Sequence, residues 1–206
     1  MRPRLVIFDM DDVLCHYDLG RRLRALSQLS GQTPRDIRAA IWDSGFEEDA
    51  DSGGYPDADM YLQGFGQRMG YPVSRSEWIA ARREAMVPST DVLNLAKSIS
   101  AVSRIAIYTN NGPIVKNSLD ELFPEAAAIF SERYCSYEFG TKKPDPNSFI
   151  RLLKQLDVSA GETWFIDDKR SNVQGARIAG LIGHHFRSYD RLVKDAKELG
   201  FDINGS

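Results

Sequence analysis

Cysteine is scarce in this chain. Cys15 and Cys135 are the only two in 206 residues, and their separation matches no metal-binding or redox spacing. Each therefore reads as a small buried hydrophobe, which fits a reduced, cytoplasmic setting. Long apolar runs are missing too. Nothing approaches the roughly 20 residues that a membrane helix needs, and no charged n-region precedes an apolar h-region. The sequence thus predicts neither a signal peptide nor a transmembrane span. An excess of one charge sign is also absent: the net charge of −3 gives no reason to expect a nucleic-acid or acidic-membrane partner. No internal repeat or low-complexity tract stands out. What remains is ordinary in amount: with 42% apolar residues the chain buries a real core, and its length suits one large domain or a core with a small insertion.

The most informative stretch lies near the start. The apolar run Leu5-Val6-Ile7-Phe8 leads directly into Asp9-Met10-Asp11-Asp12. Acids at the end of a buried strand are costly unless something positive sits beside them. A divalent cation and a lysine are the natural candidates. Such a site supports nucleophilic carboxylate chemistry, one Asp attacking while its neighbour handles the proton. Residues two apart on an extended strand share a face, so both acids serve one substrate only if the strand has ended near Met10, with the turn expected at Asp12-Val13.

Two further strands end in polar residues. Arg104–Tyr108 closes with Thr109-Asn110-Asn111-Gly112, and Thr163–Ile166 closes with Asp167-Asp168. A basic loop, Gly140-Thr141-Lys142-Lys143-Pro144, lies between them. Around these strands the sequence predicts helices at Asp91–Ser100 with Thr90 as N-cap, at Pro113–Leu122, and at Pro146–Leu156 with Phe149, Ile150, Leu153 and Leu156 on one face. A helix to Ala179 ended by Gly180 and a last helix at Tyr189–Leu199 ended by Gly200 follow. Ala127–Phe130 and Leu181–Phe186 read as short strands. Strands alternating with helices predict an α/β fold with a Rossmann-like parallel sheet. Ligands bind such sheets at the carboxyl ends of the strands, where these polar residues would converge.

Residues 15–88 differ in character, with helical signals and no convincing strand. Leu19, Leu23, Leu26 and Leu29 recur at helical spacing before Gly31. Thr33-Pro34 reads as a helix start, and Ser74-Arg75-Ser76-Glu77 as a capping box. The predicted division is therefore an α/β core of residues 1–14 and 89–206 with a small all-α insertion at 15–88. Glu47–Pro56 is its expected loop, in which Tyr55 is the candidate ligand contact and the individual acids read as solvated. Trp42, Trp78 and Trp164 read as core, His184 and His185 as structural, and His16 as either a linker residue or part of a cleft wall. Gly205-Ser206 reads as a disordered end or a cloning scar.

Asp9-Met10-Asp11, Thr109, Lys143 before Pro144, and Asp167-Asp168 continuing into Lys169–Ala176 together resemble the motifs of the haloacid dehalogenase-like (HAD) hydrolase superfamily. The resemblance runs from Leu5 to about Gly183 apart from the helical insertion, which is similar to the cap that subfamily I members carry there. Asp12 departs from the pattern, since many relatives carry Gly at that position. The resemblance implies Asp9 as nucleophile, Asp11 as general acid/base, and Thr109, Asn110 and Lys143 as phosphoryl-binding groups. It implies Mg²⁺ on Asp9, the Asp11 main-chain carbonyl and Asp168, with Asp167 either a second ligand through water or a partner of Lys143. The implied activity is that of a sugar-phosphatase-like enzyme: Mg²⁺-dependent hydrolysis of a small phosphorylated metabolite. The protein would be a monomer or homodimer. A 2-haloacid dehalogenase would not need Asp11, because halide leaves without a proton. A phosphomutase has no distinguishing feature here, and a catalytically silent binding module would not need the full set of acids.

Overall fold

A computed structural model describes residues 2–203; the terminal Gly205-Ser206 lies outside them. Five parallel strands form the central sheet: β1 (Leu5–Phe8), β4 (Arg104–Thr109), β5 (Glu132–Cys135), β6 (Thr163–Asp167) and β7 (Ile182–His185). Their order is β5-β4-β1-β6-β7. The chain thus builds outward from β1 on one side and then on the other. This makes the carboxyl end of β1 the switch point, where such sheets open a crevice. The fold is α/β with a Rossmann-like sheet, as the alternation of elements predicts.

β1 is apolar at every position because both faces of a parallel sheet are covered. Val6 and Phe8 join one buried cluster with Ile105, Ile107, Trp164 and Ile166. Leu5 and Ile7 point the other way and meet Ala106, Tyr108, Phe165 and the buried stripe of α9 (Pro146–Leu156). That stripe is Phe149, Leu152, Leu153 and Leu156; Ile150, expected on it, is 52% exposed. The reason is angular: 149, 152, 153 and 156 follow the 3.6-residue repeat, and 150 sits beside that stripe.

Two strand expectations change. Residues 124–127 form the short helix α8 (Pro124–Ala127), and the edge strand is β5, four residues later than expected. The run Ala126–Phe130 is apolar because it packs as a helix and turn, with Ala126 and Phe130 fully buried. The true edge strand is polar, as edges tend to be, and Glu132 pairs with Arg104 at 2.8 Å. The second change concerns residues 15–88. The segment leaves through β2 (Cys15–Tyr17) and returns through β3 (Met86–Pro88), which pair antiparallel, Cys15 opposite Pro88 and Tyr17 opposite Met86. Three residues are too few to show a period-2 pattern, so only the tertiary pairing reveals them. Between them lie α1 (Leu19–Ser30), α2 (Pro34–Ile41), α3 (Phe46–Asp51), α4 (Ala58–Met69) and α5 (Arg75–Arg83).

The local signals for these helices hold. Asp18 caps α1 and Gly31 ends it at φ 74°. Thr33 caps α2, and Ser74 with Glu77 closes both halves of the capping box on α5. The helix α6 (Thr90–Ser100) starts one residue earlier than expected, with Ser89 at the cap position and no side-chain cap bond. α4 and α5 pack on α7 (Pro113–Leu122), and Arg75 of α5 pairs with Glu121 of α7 at 2.9 Å. One apolar cluster therefore runs from the sheet through α7 into the helical segment, taking in Leu26, Ile41, Phe46, Phe65 and Trp78.

Candidate active site

Strand register brings the acids together. Phe8 lies opposite Ile166 of β6 and Ile107 of β4. The next position on each chain is then Asp9, Asp167 and Tyr108. Asp9 still donates its N–H to the Ile166 carbonyl at 2.9 Å, so it belongs to the rigid sheet edge. Past it the chain turns sharply, and the Met10 carbonyl accepts from Leu14 N–H at 2.9 Å and Cys15 N–H at 3.2 Å. Asp12 sits in this turn at φ 60°. That left-handed backbone favours glycine, and Asp is among the few residues that tolerate it. Its carboxylate accepts from Tyr17 N–H at 3.1 Å and lies 3.2 Å from the exposed His16. Both side chains stay out of the acid cluster.

Lys143 is the centre of that cluster. Only 2% exposed, its Nζ donates to Asp9 Oδ1 at 2.9 Å, Asp167 Oδ2 at 2.8 Å and the Tyr108 carbonyl at 3.0 Å. All three ammonium protons are used. The rings of Tyr108 and Phe165 face it from 5.5 and 5.2 Å. Asn110 holds the Lys143 main chain reciprocally, donating to its carbonyl at 2.8 Å and accepting its N–H at 3.0 Å. Sequence reasoning looked to the Asn110 backbone and missed this side-chain clamp. Gly175 supports the same loop: a Cβ there would stand 1.9 Å from the Pro144 carbonyl oxygen, so no larger residue lets α10 (Arg170–Ile178) approach.

The two acids after β6 separate cleanly. Asp167 is fully buried and saturated. Besides Lys143 it accepts from Lys169 N–H at 2.8 Å and from Asn172 Nδ2 at 3.0 Å on each oxygen. It is Lys143's partner, and Asn172 steadies it. Asp168, by contrast, has a buried Oδ1 with no hydrogen-bond partner among the described residues. Its main-chain carbonyl accepts from His185 Nε2–H at 2.8 Å. Asp9, Asp167 and Asp168 each offer a carboxylate oxygen within 4.8 Å of one another. An all-oxygen set with one orphaned acceptor suits a hard divalent cation such as Mg²⁺. The charges agree: burial raises the Asp9 carboxyl above its ordinary range, Lys143 opposes this, and Asp167 and Asp11 add to it. Burial and Asp167 push Asp168 up as well. Asp167 goes the other way; Lys143 and its hydrogen bonds outweigh burial and hold it down.

Asp9 Oδ1 is further held by Met10 N–H at 2.8 Å, which leaves Oδ2 facing outward from the hydrogen-bonded side. Thr109 is buried, with its hydroxyl accepting from Asn111 Nδ2 at 2.8 Å. Asp11 turns away from Lys143. Its carboxylate is gripped by Arg82 of α5, whose Nη2 lies 2.7 Å from Oδ2 and 3.1 Å from Oδ1. Arg82 is 4% exposed and stacks on Tyr17 at 4.6 Å. Sequence reasoning missed Arg82, although one signal existed: it stands four residues after Trp78, on the apolar stripe of α5, where a charge needs a partner. Tyr55 is not brought to the acids. It packs in an aromatic cluster 4.9 Å from Phe46 and 6.2 Å from Tyr61. Glu47–Asp51, expected as solvated loop, belong to α3.

A family model for haloacid dehalogenase-like hydrolases matches residues 3–180. The chain is 33% identical over 94 residues to flavin mononucleotide hydrolase 1 of Arabidopsis thaliana, across 46% of this chain and 38% of that protein. It thus spans well under half of the plant relative. It is 25% identical over 187 residues to D-ribitol-5-phosphate phosphatase of Bacteroides thetaiotaomicron, covering 85% of this chain and 88% of the relative. The fold matches a HAD family enzyme of B. thetaiotaomicron solved with magnesium and inorganic phosphate. That match has a TM-score of 0.76 and 21% identity, and covers 92% of this chain and 98% of the other. At that identity the likeness is one of fold.

Proposed function

The chain belongs to the haloacid dehalogenase-like hydrolase family, and from that premise we propose that it is a Mg²⁺-dependent phosphatase of a small phosphorylated metabolite, a sugar phosphate or similar. The observation that carries this reading is the Lys143 bridge between Asp9 and Asp167, with a second acid, Asp11, held just beyond it. Asp9, anchored through Oδ1, attacks phosphorus with Oδ2 and forms an aspartyl-phosphate while the P–O bond to the leaving alcohol breaks. Asp11 protonates that alcohol, then takes a proton from the water that frees phosphate and restores Asp9. Lys143, the Thr109 hydroxyl and the Asn110 N–H neutralise the phosphoryl oxygens. Asp9, the Asp11 carbonyl and Asp168 hold Mg²⁺, with Asp167 behind them. When bound, the cation keeps Asp9 ionised and offsets charge on the phosphoryl oxygens. Residues 15–88 serve as a cap over this site, delivering Arg82 to Asp11.

Similarity to relatives named for a ribitol phosphate and a flavin mononucleotide supports phosphate monoesters as the substrate class. Asp11 supports it too, because an alkoxide leaving group requires a proton and a halide does not. The experiment is phosphate release from an aryl phosphate and a panel of sugar phosphates, with Mg²⁺ and with chelator. Metal-dependent release is the expected result. Metal-independent turnover, or chloride release from 2-chloropropionate with no phosphate release, overturns the reading.

A further inference from the structure

The C-terminal end of α3 is pinned over the strand ends. Ser136 Oγ donates to the Asp51 carbonyl at 2.6 Å. A Cβ at Gly112, in the loop after β4, would lie 3.6 Å from Ala50 Cβ, and one at Gly53 would lie 3.1 Å from the Tyr137 carbonyl. Lys142, beside Lys143, pairs with Glu48 at 2.9 Å. Asp51 is thereby held at the lip between the helical segment and the acids, within electrostatic reach of Glu47, Lys142, Arg82 and Asp11.

Every cation around it is already engaged. Lys142 is bound to Glu48 and Arg82 to Asp11. Glu47 accepts from the Tyr61 hydroxyl at 2.7 Å. The partly buried Asp51 carboxylate accepts no hydrogen bond and forms no ion pair among the described residues. Burial and Glu47 hold its carboxyl well above the ordinary range, against the opposing pull of Lys142 and Arg82. A carboxyl group kept there without a donor is an unmet acceptor, and unmet acceptors in closed clefts are satisfied by ligands.

We propose that Asp51 is the specificity-determining residue of this site and that it accepts hydrogen bonds from hydroxyl groups on the leaving alcohol, selecting phosphorylated polyols and sugars. This rests on the phosphatase reading and deepens it. Hydroxyls fit better than an ammonium group, because Lys142, Arg82 and Lys143 already line the surroundings with positive charge. It also moves specificity from Tyr55, which is committed to packing, to a residue one helical turn before it.

The test compares unaltered protein with Asp51→Asn and Asp51→Leu on three Mg²⁺-supported substrates: a polyol or sugar phosphate, p-nitrophenyl phosphate, and phosphoethanolamine. The kcat/KM ratio of polyol to aryl phosphate is expected to fall about ten- to a hundredfold in Asp51→Leu, the loss of one or two hydrogen bonds to a carboxyl group. Asp51→Asn, which keeps one acceptor, is expected to fall less. An unchanged ratio in both variants, or an equal loss on all three substrates, overturns the assignment and leaves the phosphatase reading standing. A selective loss on phosphoethanolamine overturns it in favour of an ammonium site. No turnover of any of the three by the unaltered protein overturns the phosphatase reading, and this assignment with it.

Discussion

Lys143 and Arg22 are both buried cations, 2% exposed each, yet the two regions that hold them solve the problem differently. At the strand ends Lys143 meets two carboxylates and a carbonyl, and every proton has an acceptor. In the helical segment Arg22 of α1 lies over Trp78 at 4.5 Å and Trp42 at 5.2 Å, and donates to the Tyr17 hydroxyl at 3.2 Å. Its nearest carboxylate oxygen, on Glu47, is 4.0 Å away, and its Nε and Nη2 have no hydrogen-bond partner. Aromatic faces replace acids there. Parallel strands in register concentrate backbone ends and short acids at one edge, so charge is met by charge. Helices cross at side-chain distance, so a long cation spans an apolar interface and is met by rings. The first arrangement is poised for chemistry; the second holds helices together.

The largest expected effect lies at the strand ends. Asp9→Asn removes the attacking oxygen and is expected to lower kcat by at least about 10³-fold with an unchanged circular dichroism spectrum; residual turnover near that of the unaltered protein removes Asp9 from the mechanism. Lys143→Met leaves Asp9 and Asp167 buried without their cation. It is expected to cost roughly 3–5 kcal/mol in urea unfolding. Arg22→Met offers the aromatic box an apolar chain of similar length and is expected to cost no more than about 1.5 kcal/mol. Equal costs for these two substitutions would erase the contrast between the regions. The smallest effect concerns His184, buried on β7 with Nδ1 2.6 Å from Asp195. Burial holds its pKa below the ordinary 6.5, against the pull of Asp195. The unfolded chain therefore takes up a proton near pH 6.5 that the folded one resists, so stability is whole above that pH and falls below it. His184→Gln is expected to flatten the fall in Tm between pH 7 and pH 5.

Which parts were legible follows from the range of the forces involved. Asp18, Thr33 and the Ser74–Glu77 box act within one turn, so their sequence signature survives folding intact. Asp9, Thr109, Lys143 and Asp168 were legible because each closes or precedes a strand, and strand ends of a parallel sheet share one edge. β2 and β3 were not, since each exists only because the other lies beside it. Arg82 and Arg22 hid among apolar stripes where a reader expects leucine. Asp51 was read as a solvated acid, because nothing local distinguishes an acid facing water from one facing a cleft.

The sequence by itself determined the α/β alternation, the helical character of residues 15–88 and the four strand-end groups, all of them matters of period and punctuation along the chain. Tertiary structure alone decided that Asp167 serves Lys143 while Asp168 keeps an unpaired oxygen. It also decided that Asp11 is gripped from 71 residues away, and that Asp51 rather than Tyr55 stands at the lip. Such choices depend on which partner reaches a buried charge first through space, and the energy of a buried charge is set by the groups around it rather than by its neighbours in sequence.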